Sequence, residues 1–282
     1  MRLGGFVIHG RDVSTLPDCL ESLRAVADEV VAVDSGGGDG APARGVRTIK
    51  QRWEGYGAAR AAAVRALEGC DWVLFLDADE RLDAPARQAL RAWKSKPGAA
   101  ASHLLPVRDW AELPSGRFLY RTHHRVRLMR REVAAWGPQM IVHEALRRAD
   151  AVRLDVPIEH RFATGVAQRG EKEEVYALLW AVRAHAEGRR GKPAWLQRPA
   201  MFLRDAVLKG AALRGGRAGL ELAWTVAAYH SRKYQLLREL RAGQHAELSS
   251  AFAAKEYARV FELAERQRSV VSCQPSALRA ES

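Results

Sequence analysis

Short apolar runs alternate with stretches of helical spacing along the first third of the chain. Leu3 to Ile8 reads as a strand. Leu16, Leu20, Leu23 and Val26–Ala27 recur at helical spacing, with Ser14 or Thr15 placed to cap the helix and Pro17 in its first turn. Glu29 to Asp34 predicts a second strand that ends in an acid, and Val46 to Ile49 a weaker third. Tyr56 to Leu67 is an Ala/Arg-rich helical pattern, and Trp72 to Asp77 the fourth strand. Strand and helix in alternation imply a parallel, doubly wound sheet.

The pattern changes near Gly165 to Gly170 and is helical from there on. Val175, Leu178, Leu179 and Val182 form one stripe. Pro199 to Leu213 and Ala218 to Tyr229 predict two further helices, separated by Arg214-Gly215-Gly216-Arg217, and Tyr234, Leu236, Leu237 and Leu240 continue the pattern. A last helix is expected over Leu248 to Gln267. The organisation predicted is an α/β domain over 1–165, a helical extension over 166–267 and a flexible tail over 268–282.

Chemistry concentrates where the fourth strand stops. In Asp71-Trp72-Val73-Leu74-Phe75-Leu76-Asp77-Ala78-Asp79-Glu80, three carboxylates follow an apolar run within four residues. Ligands of open α/β sheets bind at the carboxyl ends of such strands. In extended backbone, residues two apart point the same way, so Asp77 and Asp79 are expected to face one site. Adjacent carboxylates repel unless a cation or proton lies between them. They suit Mg²⁺ or Mn²⁺ already carrying nucleotide phosphates. The alternative is a capped strand end with solvated acids.

Three ordered segments carry a resemblance. Val33-Asp34-Ser35-Gly36 with Asp39-Gly40, then Trp53-Glu54-Gly55-Tyr56-Gly57 with Arg60, then Leu76-Asp77-Ala78-Asp79-Glu80-Arg81-Leu82 together resemble glycosyltransferase family 2. Within it they most resemble the branch of lipopolysaccharide inner-core β-glucosyltransferases, and the resemblance continues loosely through Val142-His143-Glu144 to about Leu240. It implies a GT-A fold, a nucleotide-sugar donor, a divalent metal and inversion at the anomeric carbon. The chain departs from the family's usual residues at Gly37-Gly38, at Ala61 and at His9-Gly10-Arg11-Asp12, positions that lie around the nucleotide.

By the same resemblance Asp34 contacts the base or ribose, Arg60 and Asp77 bind the donor, and Asp79 holds the metal, with His160 completing the shell or touching the phosphates. Imidazole suits Mn²⁺ acceptably, although a structural histidine is the other reading of His160. Glu144 matches the family's general base, which takes the acceptor hydroxyl proton as that oxygen attacks the anomeric carbon. A surface Glu at a helix start is its alternative. His143-Glu144 does not begin a zinc-protease helix, because residue 147 is Arg.

Composition bounds the function. The 282 residues are 48% hydrophobic and 28% charged, as in a folded globular protein. Cys19, Cys70 and Cys273 are odd in number and far apart, which favours a reducing compartment. The N-terminus lacks a signal-peptide core, and no apolar run nears the ~20 residues that span a bilayer. A cytoplasmic protein is expected, resting if anywhere on the inner face of the membrane. The formal charge is +12, from 45 Lys and Arg against 33 Asp and Glu. No nucleic-acid motif accompanies it, so nucleic acid is not an expected partner. The cluster Arg117, Arg121, Arg125, Arg127, Arg130 and Arg131 reads equally as a solvated surface or as a holder of pyrophosphate or an acidic acceptor. Pro199 to Tyr229 interleaves apolar residues with Arg198, Arg204, Lys209, Arg214 and Arg217, a pattern suited to an anionic membrane surface or to packing on the catalytic domain.

The expectation is an α/β, GT-A chain with a C-terminal helical extension. It would act as an inverting glycosyltransferase on a nucleotide-sugar donor and a lipid-linked saccharide acceptor, with Mg²⁺ or Mn²⁺. A GT-A-like binding module without turnover, and a nucleotidyltransferase, are the alternatives.

Overall fold

The computed structural model describes residues 1–10, 14–36, 45–137, 140–141 and 150–272, with side chains through 266. Its first unit comprises Met1–Ala111 and Phe118–Phe162. The apolar runs become β1 (Leu3–His9), β2 (Glu29–Asp34), β3 (Arg47–Lys50) and β4 (Trp72–Asp77), and the helical stretches become α1 (Leu16–Arg24) and α2 (Tyr56–Ala66). β1 pairs in parallel with β2 on one side and β4 on the other, and β2 pairs in parallel with β3. Alternation along β4 divides the core. Leu74 and Leu76 join Leu20 and Leu23 of α1 in one cluster, while Val73 and Phe75 join Ala59 and Ala63 of α2 in another. Gly4 and Gly5 let both helices lie close on β1: a Cβ on Gly4 would sit 2.9 Å from Leu67, and one on Gly5 3.2 Å from Leu23.

Thr15 flanks α1, as its sequence position predicts, but caps nothing with its side chain. Its hydroxyl donates instead to the Ala78 carbonyl at 2.7 Å, tying the helix start to the turn after β4.

Beyond β4 the sheet changes character. It continues through β5 (Glu80–Arg81), α3 (Ala84–Ser95), β6 (Ser102–Leu113), β7 (Gly116–Arg130), β8 (Val152–Arg153) and β9 (Ile158–Ala163). The strand order is β3-β2-β1-β4-β7-β6-β9-β5, with β8 against β6. β7 runs antiparallel to β4, and β5 antiparallel to β9, so a parallel front half is completed by a mixed back half. The α/β class with a helical extension stands. The parallel pattern stops at β4, where long adjacent strands replace the strand–helix–strand unit.

The second unit comprises Glu112–Arg117 and Ala163–Ser282. Its helices are α4 (Val166–Ala186), α5 (Ala194–Leu203), α6 (Ala211–Arg241), α7 (Ala246–Ala253) and α8 (Tyr257–Ser272), with a π-helical turn at Arg204–Leu208. Two boundaries differ from the sequence expectation. The break between the middle helices falls at Gly210 (φ 70°), and Arg214 to Arg217 lies inside α6, where Gly216 (φ 51°) makes a kink. The single helix expected over Leu248 to Gln267 is two helices, parted where Lys255 takes φ 62°. The Lys233 ammonium lies over the rings of Trp180, Tyr229 and Tyr234 at 4.7, 5.1 and 5.3 Å, joining α4 to α6. Burial, reinforced by Lys192 and Arg204, lowers the pKa of Lys233 to about 8.

Candidate functional site

The end of β4 gathers an ion network built on an aromatic floor. Phe75 stacks on Phe6 at 5.4 Å between ring centroids and meets Trp136 edge-on at 5.4 Å. Two guanidiniums lie over the Phe75 ring, Arg60 at 4.3 Å and Arg127 at 4.6 Å. Both then reach Asp77: Arg60 Nη2 donates to Oδ1 at 2.9 Å and Arg127 Nη2 to Oδ2 at 2.7 Å. Arg127 Nη2 also donates to Glu80 Oε1 at 2.5 Å, and the other Glu80 oxygen accepts the Asp77 backbone N–H at 2.9 Å. Burial alone would raise the Asp77 pKa, but Arg127 and Arg60 outweigh it and hold the carboxyl well below the usual range. Glu80 goes the other way: burial, with the Asp77 charge beside it, pushes it up to about 7 against the pull of Arg127.

Asp79 takes a different direction from Asp77. Ala78 and Asp79 form a turn between β4 and β5, so the two-residue alternation of an extended strand does not carry through. The two carboxylates have different protein partners: Asp77 clamps arginines, whereas Asp79 Oδ1 lies 3.5 Å from His160 Nε2. Pairing of β5 with β9 sets Glu80 opposite His160, and the Arg161 N–H donates to the Asp79 carbonyl at 2.9 Å. His160 therefore sits within β9 rather than at a strand end.

The far nitrogen of His160 is held as well. Its Nδ1 is 2.7 Å from Asp109 Oδ1, and Arg121 Nε donates to Asp109 Oδ2 at 2.6 Å. Asp109 is fully buried. Burial would lower the His160 pKa, but Asp79 and Asp109 outweigh it and raise the imidazole to about 10. Burial would raise Asp109, yet His160 and Arg121 hold it well below the usual carboxylate range. His123, close by, is pushed down to about 3 by burial and by Arg125 and Arg121.

Among the described residues no three His, Cys, Asp or Glu side chains converge into a ready metal cage. Asp79 with His160 is the pair whose chemistry fits a divalent ion that brings further oxygen ligands with its substrate. A carboxylate and an imidazole nitrogen lie side by side there, and the other imidazole nitrogen is oriented by a buried carboxylate, as in metal-binding histidines.

Asp34 ends β2 buried, and its Oδ1 accepts the Gly36 N–H at 3.0 Å, a local turn bond. Asp39, Gly37-Gly38 and the His143-Glu144 pair lie outside the described residues. Ile141, three residues before Glu144 in the sequence, is fully buried. Gly57 N–H donates to the Met140 carbonyl at 3.1 Å, and a Cβ on Gly57 would come 2.3 Å from the Gly137 carbonyl oxygen. The glycine keeps the first turn of α2, three residues before Arg60, tight against this segment.

Sequence reasoning passed over Glu80, Asp109, Arg121 and Arg127 as individual site groups. The arginines of the basic cluster divide: Arg121 and Arg127 turn inward to carboxylates, Arg131 Nε donates to the Cys70 carbonyl at 3.1 Å, and Arg125 and Arg130 are exposed. The available signal was strand alternation, which puts 121, 123, 125 and 127 on one side of β7.

Residues 7–101 match the model described as glycosyl transferase family 2. This segment belongs to that family. It runs from β1 through α3 and includes Asp34, Arg60, Asp77 and Asp79. Two curated proteins are similar to parts of this chain. The lipopolysaccharide core biosynthesis glycosyltransferase LpsC of Rhizobium meliloti is 36% identical over 99 residues, 31% of this chain and 35% of LpsC. A TPR repeat-containing protein of Synechococcus elongatus is 34% identical over 127 residues, 42% of this chain and 31% of that protein. The chain thus spans about a third of the length of these relatives. Among solved structures, a mannosyltransferase of Pyrobaculum calidifontis in complex with GDP-Man and Mn²⁺ covers 95% of this chain and 86% of its own, at 17% identity and a TM-score of 0.39.

Proposed function

We propose that this chain transfers a sugar, with inversion, from a nucleoside-diphosphate sugar to a saccharide acceptor, and that the acceptor is the lipid-linked core of lipopolysaccharide. The observation that carries the reading is the coincidence of the family 2 segment with the charged strand end. Asp34, Arg60, Asp77 and Asp79 all fall within residues 7–101, and Arg127 comes in from a later strand onto Asp77 and His160, held by Asp109, onto Asp79. The name of the LpsC relative supports the lipopolysaccharide acceptor. A site at the inner face of the cytoplasmic membrane follows from such an acceptor. Among the described residues no helix is long and apolar enough to cross a membrane.

In this reading the donor lies along Asp34, Arg60 and Asp77. Asp77 holds both guanidiniums in place over Phe75, so Arg60 and Arg127 present fixed positive charge where a diphosphate gathers negative charge. Asp79 would hold Mg²⁺ or Mn²⁺, with His160 as a further ligand once the ion displaces the Nε2 proton. When bound, the ion would add a Lewis-acidic charge against the departing diphosphate. Asp109 fixes the imidazole of His160 in orientation. Glu144 would accept the acceptor hydroxyl proton as the oxygen–anomeric carbon bond forms and the bond to diphosphate breaks.

The test is release of nucleoside diphosphate from a panel of nucleotide sugars with Mn²⁺ and a lipopolysaccharide core acceptor. Asp79→Ala should abolish Mn²⁺-dependent donor binding in a variant that remains folded at the assay temperature; an unchanged Mn²⁺ dependence would sink the metal assignment. Glu144→Gln should lower turnover ~10²–10⁴-fold with donor affinity nearly unchanged. Equal losses in binding and turnover would move Glu144 into the donor site. Release of pyrophosphate would identify a nucleotidyltransferase, and donor binding without any release a binding module.

A further inference from the structure

Among the described residues the large exposed apolar side chains, Met1 and Val152 apart, all fall between Trp195 and Trp224. They belong to the hairpin of α5, its π-helical turn and α6. The hairpin is a built object. Ser231 Oγ donates to the Ala194 carbonyl at 2.9 Å, Phe202 meets Trp224 edge-on at 5.4 Å, and the Arg198 guanidinium lies over Trp224 at 4.0 Å. Exposure rises toward the connection, with Val207 at 65%, Leu208 at 82% and Leu213 at 90%. Gly210, at φ 70°, turns the chain there and keeps Leu208 and Leu213 on the apex.

The apex is rimmed by cations. Residues 194–224 hold Arg198, Arg204, Lys209, Arg214 and Arg217 against Asp205 and Glu221, five minus two, a net +3. Asp205 is buried and held by Arg204 Nε at 2.7 Å, so little negative charge faces outward. The Arg217 side chain is 93% exposed while bonded to Glu221 at 2.9 Å. Exposed leucines cost free energy in water, and a cationic rim repels a second copy of itself, which argues against self-association through this apex. A bilayer surface rich in anionic headgroups answers both features, with apolar depth for the leucines and phosphates for the rim.

We propose that the α5–α6 apex docks on an anionic membrane surface. Val207, Leu208 and Leu213 enter the headgroup–acyl boundary, and Lys209, Arg214 and Arg217 meet lipid phosphates. The inference is independent of the sugar-transfer reading. It uses vesicles without saccharide or donor, so its failure and the failure of that reading are separate results.

The experiment is flotation of the full chain with vesicles of 70% phosphatidylcholine and 30% phosphatidylglycerol (~30% anionic, set to mimic an anionic leaflet), with pure phosphatidylcholine as control. The full chain should float with anionic vesicles at low salt, lose them at high salt and ignore the neutral ones. Leu208→Ser with Leu213→Ser should weaken binding by at least about tenfold. Lys209→Gln with Arg217→Gln should weaken it about fivefold per residue. Leu208, Leu213 and Arg217 are exposed and Lys209 is half-buried, so melting temperatures should stay near the parent's. Absence of flotation with anionic vesicles at low salt overturns the proposal. So does a folded leucine variant that binds as the parent does, or a parent that dimerises in sedimentation through these leucines instead of binding lipid.

Discussion

The imidazole of His160 stands between two carboxylates, Asp79 at 3.5 Å and Asp109 at 2.7 Å, and its pKa of about 10 follows from them. A group whose pKa is raised by folding stabilises the fold while it is charged. That contribution is complete below about pH 6.5, the ordinary histidine value, and disappears as pH rises toward about 10. Thermal unfolding of the parent should therefore fall in temperature across that window, and His160→Gln should flatten the slope. An identical slope in the variant would place the stabilising charge elsewhere. Asp79 could be singled out in the sequence because it belongs to the acid-rich run after an apolar stretch, and His160 because it matches a position that the family resemblance assigns to the metal. Asp109 was not: in the one-dimensional pattern it is an ordinary acid between Arg108 and Trp110, and only pairing in the sheet brings it under a histidine 51 positions later. Arg127 was hidden in the same way, by arginines that look alike until β7 assigns them sides.

At the level of elements, the parallel strands and their helices were legible because their apolar runs and helical spacing are strong local signals. The adjacent β6 and β7 were not, since the sequence between 102 and 130 shows its arginines more plainly than its alternation. The turn at Ala78–Asp79 was missed for a related reason, as three acids within four residues carry no mark of where extended backbone ends. One junction between elements is open to a direct test. Gly57 brings α2 against the segment before Glu144 so closely that an added Cβ would lie 2.3 Å from the Gly137 carbonyl oxygen. Backbone cannot yield as a flexible side chain does, so Gly57→Ala should cost about 1–3 kcal/mol in denaturant unfolding. Glycosyl transfer should fall with it, and an unchanged midpoint would show that the segment moves aside freely.

For the whole chain, a formal charge of +12 sets a long-range field that attracts anionic donors and surfaces. The Michaelis constant for a nucleotide sugar should rise as ionic strength goes from about 0.01 to 0.15 M, where the screening length shortens from roughly 30 to 8 Å. Turnover at saturation should change little, and a salt-independent Michaelis constant would assign the excess charge to other tasks. A last consequence follows from where the partners of the β4 end come from. Asp77 waits for Arg127, 50 positions onward, and His160 must come back to both Asp109, 51 positions earlier, and Asp79. During synthesis the parallel front can assemble early with Arg60 on Asp77, yet the rest of the charge network is missing until β7 and β9 have emerged and paired. Until then Asp77 has Arg60 alone, and Glu80 and Asp109 are bare acids in a half-built sheet, repelling the burial they will later undergo. The ability to hold a donor should therefore be among the last properties the nascent chain acquires, and a nucleotide sugar should select for chains that have finished folding.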